Sequence, residues 1–207
     1  MALTDSNMLP LGTTAPSFSL VNILNGEEVC VPDSDQYAGT VIIFMCNHCP
    51  YVIHLIDHIA QLAAKYASKG FRFIGINSND IERYPDDRPE LMKEFAEQHQ
   101  IEFPYCFDST QQVARDYDAA CTPDFYVFDR NLKLVYRGRY DDSRPGNQIR
   151  PSGDDLAFAL DCLKDNEEIP ELQYPSAGCN IKWKSWQPAC TSICNLIVID
   201  QNNRQFS

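Results

Sequence analysis

Apolar and polar positions follow three patterns along this chain: unbroken runs, helical spacing and short alternating stretches. Thr40 to Met45 is a continuous β-branched and aromatic run, the pattern of a strand buried on both faces. Pro50 follows it. From Tyr51 to Lys69, Ile53, Ile56, Ile59, Ala60 and Ala63 fall at helical spacing, and Gly70 stops the helix. Phe71 to Asn77 is the next strand, which completes a right-handed βαβ unit. Ahead of this unit, Ser17 to Val21 and Glu27 to Val31 flank the turn residues Asn22 to Gly26 and predict an N-terminal β-hairpin. Residues 1 to 15 read as a loose lead-in. Behind the unit, Glu90 to His99 is a helix, Phe103 to Phe107 a short strand and Gln111 to Tyr117 a short helix. Phe125 to Phe128 and Lys133 to Gly138 are strands around the turn Asp129-Arg130-Asn131, and Asp154 to Lys164 is a helix with Leu156, Leu160 and Leu163 on one stripe. Asn79 to Pro89 and Asp141 to Gly153 read as polar loops. This order predicts an α/β fold with one mixed central sheet flanked by helices on both faces.

Composition narrows the function. The 207 residues are 44% hydrophobic and 22% charged, enough to build a core. The longest apolar run, Val41 to Met45, is far short of the roughly 20 residues of a membrane span. The formal charge of -12, with no basic stripe, argues against nucleic acid as a partner. Met1 to Pro10 shows no basic-then-apolar leader, so a reducing, cytoplasmic setting is expected. In that setting the nine cysteines do not predict a disulfide scaffold. Cys30, Cys106 and Cys162 lie in or beside apolar stretches and read as packing.

Cys46-Asn47-His48-Cys49-Pro50 stands where the buried strand ends and the helix begins. Unpaired amides and the positive end of the helix dipole stabilise a thiolate at such a junction. Two intervening residues let both sulfurs meet within one turn. Cys46 is expected to be the exposed nucleophile and Cys49 the buried resolving thiol. Pro50 fits the first helical turn. A protonated His48 would favour the Cys46 thiolate; the bland alternative is a solvated imidazole. His54 and His58 are four apart on the helix, but with no third ligand nearby no metal is expected there. Cys190-x-x-x-Cys194 lies in a tail, 185–207, of unknown role; a metal or a disulfide there is the alternative to an inert tail.

The Cys46-x-x-Cys49-Pro50 motif, with Thr122-Pro123 ahead of the strand Phe125 to Phe128, resembles the thioredoxin fold. The phrases Phe44 to Val52, Cys121 to Phe125, Tyr136 to Gly138, Asp141 to Asn147 and Gly178 to Lys184 are similar to peroxiredoxin-like proteins related to alkyl hydroperoxide reductase and thiol-specific antioxidant proteins. The likeness spans residues 10–184, and 185–207 would be a C-terminal extension. It implies a cis-proline at Pro123 facing the dithiol, with the neighbouring backbone offered to an extended substrate strand. It places Cys121 and Thr122 beside the dithiol and makes Cys179 an accessory candidate. Cys121 is either a third redox thiol or packing. Arg137, Asp142 and Arg144 either form an ion-pair network or line a groove. The chain also departs from the pattern: Met45 precedes the first cysteine, Thr40 stands where thioredoxins bury an acid, and Gly75 where they place a lysine. Aligned on Cys49, Ile42 and Cys46 replace the proline and threonine of peroxiredoxins, removing a hydroxyl that helps bind peroxide.

The resulting expectation is a thiol-disulfide oxidoreductase without a cofactor. Its partners would be a disulfide-bearing protein or a small thiol or hydroperoxide, with an upstream thiol reductant and neither nucleic acid nor membrane. A thiol peroxidase is the first alternative, and a non-enzymatic metal-binding module using Cys46, Cys49 and a histidine is the second.

Overall fold

A computed structural model describes residues 3–33 and 37–185. Its central sheet has five strands. β4 (Gly39–Phe44) is buried throughout and lies in the middle, as its unbroken apolar run predicts. β5 (Phe71–Asn77) and β6 (Tyr105–Phe107) extend the sheet in parallel on one side. β8 (Asp124–Asp129) and β9 (Leu134–Gly138) extend it antiparallel on the other. The β-hairpin of β2 (Phe18–Val21) and β3 (Glu28–Val31) packs against one face.

Side-chain alternation along β4 divides the core. Val41 and Ile43 face the long helix α1 (Pro50–Ala67), along with α2 (Pro89–Gln98) and α4 (Asp154–Asp165). Ile42 and Phe44 face the hairpin and the short helix α3 (Gln112–Asp116). α1 begins at Cys49 as its N-cap with Pro50 in the first turn, and Gly70, at φ +87°, turns the chain away after it. Its core stripe includes Val52, Ile56 and Ile59, all fully buried; each such side chain contributes about 1.5–3 kcal/mol of burial. No helix among the described residues is long and apolar enough to cross a membrane.

The lead-in is not loose. β1 (Leu3–Asp5) pairs antiparallel with β10 (Ala177–Asn180), and β10 pairs with β7 (Cys121–Thr122), giving a second, three-stranded sheet. These segments are two to four residues long, with at most one β-branched residue each; they are strands because of what they pair with, not because of propensity. The pairing also corrects the expected mode of partner binding, since the backbone beside Pro123 already carries β10. Cys190 and Cys194 lie outside the described residues, as does the apolar run 195–200.

Candidate active site

The end of β4 and the start of α1 bring Cys46, His48 and Cys49 together, and the peptide bond Thr122-Pro123 is cis beside them. The Thr122 hydroxyl lies 3.6 Å from Cys46 Sγ, and the Cys49 thiol donates to the Thr122 carbonyl at 3.1 Å. Cys46 is buried at 1% exposure and Cys49 at 0%, so Cys46 is not the exposed thiol the motif suggested. The cause is the segment 79–88, which folds back over the strand end.

That segment supplies a group not anticipated from sequence. Asp87 closes a single 3-10 turn (Pro85–Asp87) and is fully buried, whereas neighbouring Asp86 is exposed. Its carboxylate accepts the Asn47 amide at 2.9 Å and the Asn79 side-chain amide at 2.8 Å, and meets His48 Nδ1 at 2.9 Å. His48 stacks on Tyr84, the ring centroids 5.6 Å apart and 5° from parallel, and Lys182 Nζ sits 5.6 Å from the centroid of the same tyrosine ring. His48 is therefore held by protein rather than solvated. The segment is in turn clamped by the chain after β10: the Lys182 amide donates to Asn79 Oδ1 and the Asp80 amide to the Lys182 carbonyl, both at 2.8 Å. A buried acid thus reaches the dithiol from a loop, although Thr40 provides none. The lysine position is closed as well, because a Cβ on Gly75 would already stand 3.1 Å from Met45 Sδ and from Phe103.

The electrostatics follow from these contacts. The two sulfurs ionise as a pair. A hydrogen bond from Cys46 is the main influence on Cys49; against burial, and with Thr122, Cys179 and the Val52 amide adding to it, it lowers the Cys49 thiol to about 5. These donors outnumber the one acceptor, the Thr122 carbonyl. Cys46 is pushed well above the ordinary thiol value, first because it donates to Cys49, then by burial and by the nearby Asp87 carboxylate. The hydrogen bond to Asp87 raises His48 against the effect of burial. Burial pushes the Asp87 carboxyl upward, but His48, Asn79 and the Asn47 amide outweigh it and leave it below the ordinary range.

The accessory candidates separate. Cys179, at 3% exposure on β10, faces Thr122 in register, and its thiol is electrostatically linked to Cys49. Burial pushes its thiol up to about 12. Cys121 is fully buried with Sγ directed to the Pro123 carbonyl at 3.7 Å, and burial holds it protonated. Asp142 pairs with Arg139, Arg144 donates to the Asp141 and Ser143 carbonyls of its own loop, and Arg137 donates to Gln173. Arg144 also borders a small cleft with Pro123, Tyr51 and His54. His58 is bonded to the Tyr140 hydroxyl. Among the described residues, the metal-competent cluster is Cys46, His48 and Asp87, whose ligand atoms lie within 4.8 Å of one another.

A mixed five-stranded sheet with a cysteine pair at the first strand-to-helix junction and a facing cis-proline defines a thioredoxin-like protein. A solved thiol:disulfide interchange protein of the thioredoxin family from Chlorobium tepidum TLS shares the fold at 20% identity and TM-score 0.57, over 74% of this chain and 97% of that one. Residues 11–137 match the AhpC/TSA family, and the chain belongs to that family. The structure of an uncharacterized conserved protein from Geobacillus kaustophilus is 52% identical, with TM-score 0.88, over 90% of this chain and 99% of its own. A thiol-disulfide oxidoreductase ResA of Bacillus cereus is 23% identical over 131 residues, 63% of this chain and 70% of that protein.

Proposed function

We propose that the chain is a thiol-disulfide oxidoreductase whose redox pair is Cys46 and Cys49. The observation that carries this reading is the pair of cysteine sulfurs at the N-terminus of α1, both in contact with Thr122 beside the cis bond to Pro123. The likeness to ResA supports it. One sulfur of the pair attacks an incoming disulfide as the thiolate. The other then attacks the mixed disulfide, releases the second thiol of the substrate, and leaves a Cys46–Cys49 disulfide for an upstream thiol to reduce. The His48–Asp87 pair serves as the nearby proton reservoir, taking the place of the acid absent at Thr40. Pro123 and the Thr122 backbone fix the facing wall.

Reduced protein treated with oxidised glutathione is expected to yield a Cys46–Cys49 disulfide on peptide mapping, and Cys49→Ser is expected to abolish disulfide reduction. Undiminished turnover in Cys49→Ser overturns the reading. Family membership favours a second one, hydroperoxide reduction at the same pair. Although Cys46 stands where peroxiredoxins place their threonine, the Thr122 hydroxyl lies 3.6 Å from Cys46 Sγ. Sulfenic acid formation at a rate no greater than that of free cysteine would remove this second reading.

A further inference from the structure

We propose that Cys179 is a third redox thiol, carried on an internal strand that occupies the substrate edge, and that it forms a disulfide with Cys49. This rests on the dithiol reading above and adds a residue to it.

The placement of β10 is the first observation. Cys179 pairs in register with Thr122, and Asn180 with Cys121, so β10 runs along the backbone that would otherwise be offered to an extended partner. The Thr122 carbonyl on that edge is the one that receives the Cys49 thiol at 3.1 Å. Cys179 therefore comes to the dithiol as a cysteine on a bound substrate strand would, but from within the same chain.

The closeness of that approach is the second observation. A Cβ built on Gly178 would stand 2.0 Å from the Thr122 oxygen and 2.8 Å from its carbonyl carbon, both backbone atoms. Glycine is required here for contact distance and not for a special turn. It seats the next residue, Cys179, directly opposite Thr122, whose carbonyl meets the Cys49 sulfur, and the two thiols influence each other's ionisation. Cys49 is thus flanked by two thiols, Cys46 from its own motif and Cys179 from the far end of the fold. Cys121 is close as well, but its sulfur is turned toward the Pro123 carbonyl.

The chemistry balances without a further reagent beyond a disulfide oxidant. The Cys49 thiolate attacks a small disulfide such as oxidised glutathione, forming a mixed disulfide and expelling one glutathione thiolate. The Cys179 sulfur then attacks Cys49 Sγ, the bond to the second glutathione breaks, and that leaving sulfur takes the Cys179 proton. Two protein thiols have become one disulfide, and one disulfide has become two glutathione thiols. A Cys46–Cys49 disulfide reaches the same product by exchange: Cys179 bonds to Cys49, and Cys46 leaves with the proton.

The test is to oxidise the full chain bearing Cys46→Ser with oxidised glutathione and map its peptides without reduction. A Cys49–Cys179 linked peptide is expected. In the double variant Cys46→Ser, Cys179→Ser, glutathione on Cys49 is expected to persist roughly tenfold longer or more, because a neighbouring thiol acts at high effective concentration. A lasting glutathione adduct on Cys49 of Cys46→Ser, with Cys179 still open to alkylation, overturns the proposal. Should Cys46→Ser not fold, acid-quenched oxidation of the unaltered chain decides. A Cys49–Cys179 link beside Cys46–Cys49 supports the third thiol, and Cys46–Cys49 alone refutes it. No cysteine cross-link at all in the unaltered chain instead overturns the dithiol reading on which the proposal rests.

Discussion

Asp124 begins β8 one residue after Pro123, and it is fully buried. Its carboxylate accepts the Tyr126 hydroxyl at 3.0 Å and reaches the Ala120 amide at 3.5 Å. These bonds, with others from Ser6 and Ser176, do not overcome the loss of water, and burial raises the carboxyl to about 7. The unfolded chain ionises the same group near 3.8. Between those values folding takes up a proton, so stability is full below about 3.8 and falls as the pH climbs through about 7. The gap corresponds to about 4 kcal/mol as an upper figure. Asp124→Asn mimics the protonated acid at every pH. The variant is therefore expected to match the unaltered protein near pH 4 and to exceed it near pH 8, by up to about 8–16 °C in melting temperature for a chain of this size. Thermal unfolding of both proteins at the two pH values measures the difference, and other titrating groups cancel in the comparison. If Asp124→Asn is destabilised equally at both, the carboxylate is ionised and satisfied in the fold, and the burial argument fails.

Further outcomes follow from the same contacts. Gly178→Ala drives a methyl group into the Thr122 carbonyl; a loss of about 1–3 kcal/mol in denaturant unfolding is expected, with β10 displaced and Cys179 more reactive to alkylation. Cys46→Ala removes the principal donor to Cys49, so the Cys49 thiol is expected to rise from about 5 toward its ordinary value, read by the pH dependence of thiolate absorbance. Asp87→Asn is expected to lower His48 in an NMR titration. The stability His48 contributes is full below its ordinary value of 6.5 and lost as pH rises through its elevated folded value; that of Asp87 is present above 3.8 and lost as pH falls through its depressed one, so the variant loses most between those limits. Ile43→Ala, at a fully buried position on the central strand β4, is expected to cost about 2–5 kcal/mol in chemical denaturation.

The central sheet and its helices were legible because their signals are local. The run Val41 to Phe44, the stripe along α1 and the turn at Asp129 each declare themselves within a few residues. The placement of Cys46 and Cys49 at the strand-to-helix junction was legible for the same reason, whereas the cis bond at Pro123 was legible only through the family resemblance. Three features were not. β1, β7 and β10 have three, two and four residues and no periodicity, so only their mutual pairing reveals them. Asp87 is chemically indistinguishable from Asp86 in the chain; the difference is that one carboxylate meets the Asn47 amide and His48 while the other faces solvent. The burial of Cys46 follows from this, since an argument about the helix terminus contains nothing about a loop that returns from residues 79–88 to cover it.

The three-stranded sheet ties the start of the chain to the cysteine pair. Leu3 pairs with Cys179, and Cys179 pairs with Thr122, whose carbonyl and hydroxyl meet the two sulfurs. Only two rungs of a ladder separate the third residue from the dithiol. An affinity tag, a fusion or a trimmed N-terminus is then expected to act on the strand that pairs with Cys179. Differences in reduction potential between tagged and untagged preparations would be a property of the fold and not an artefact of handling.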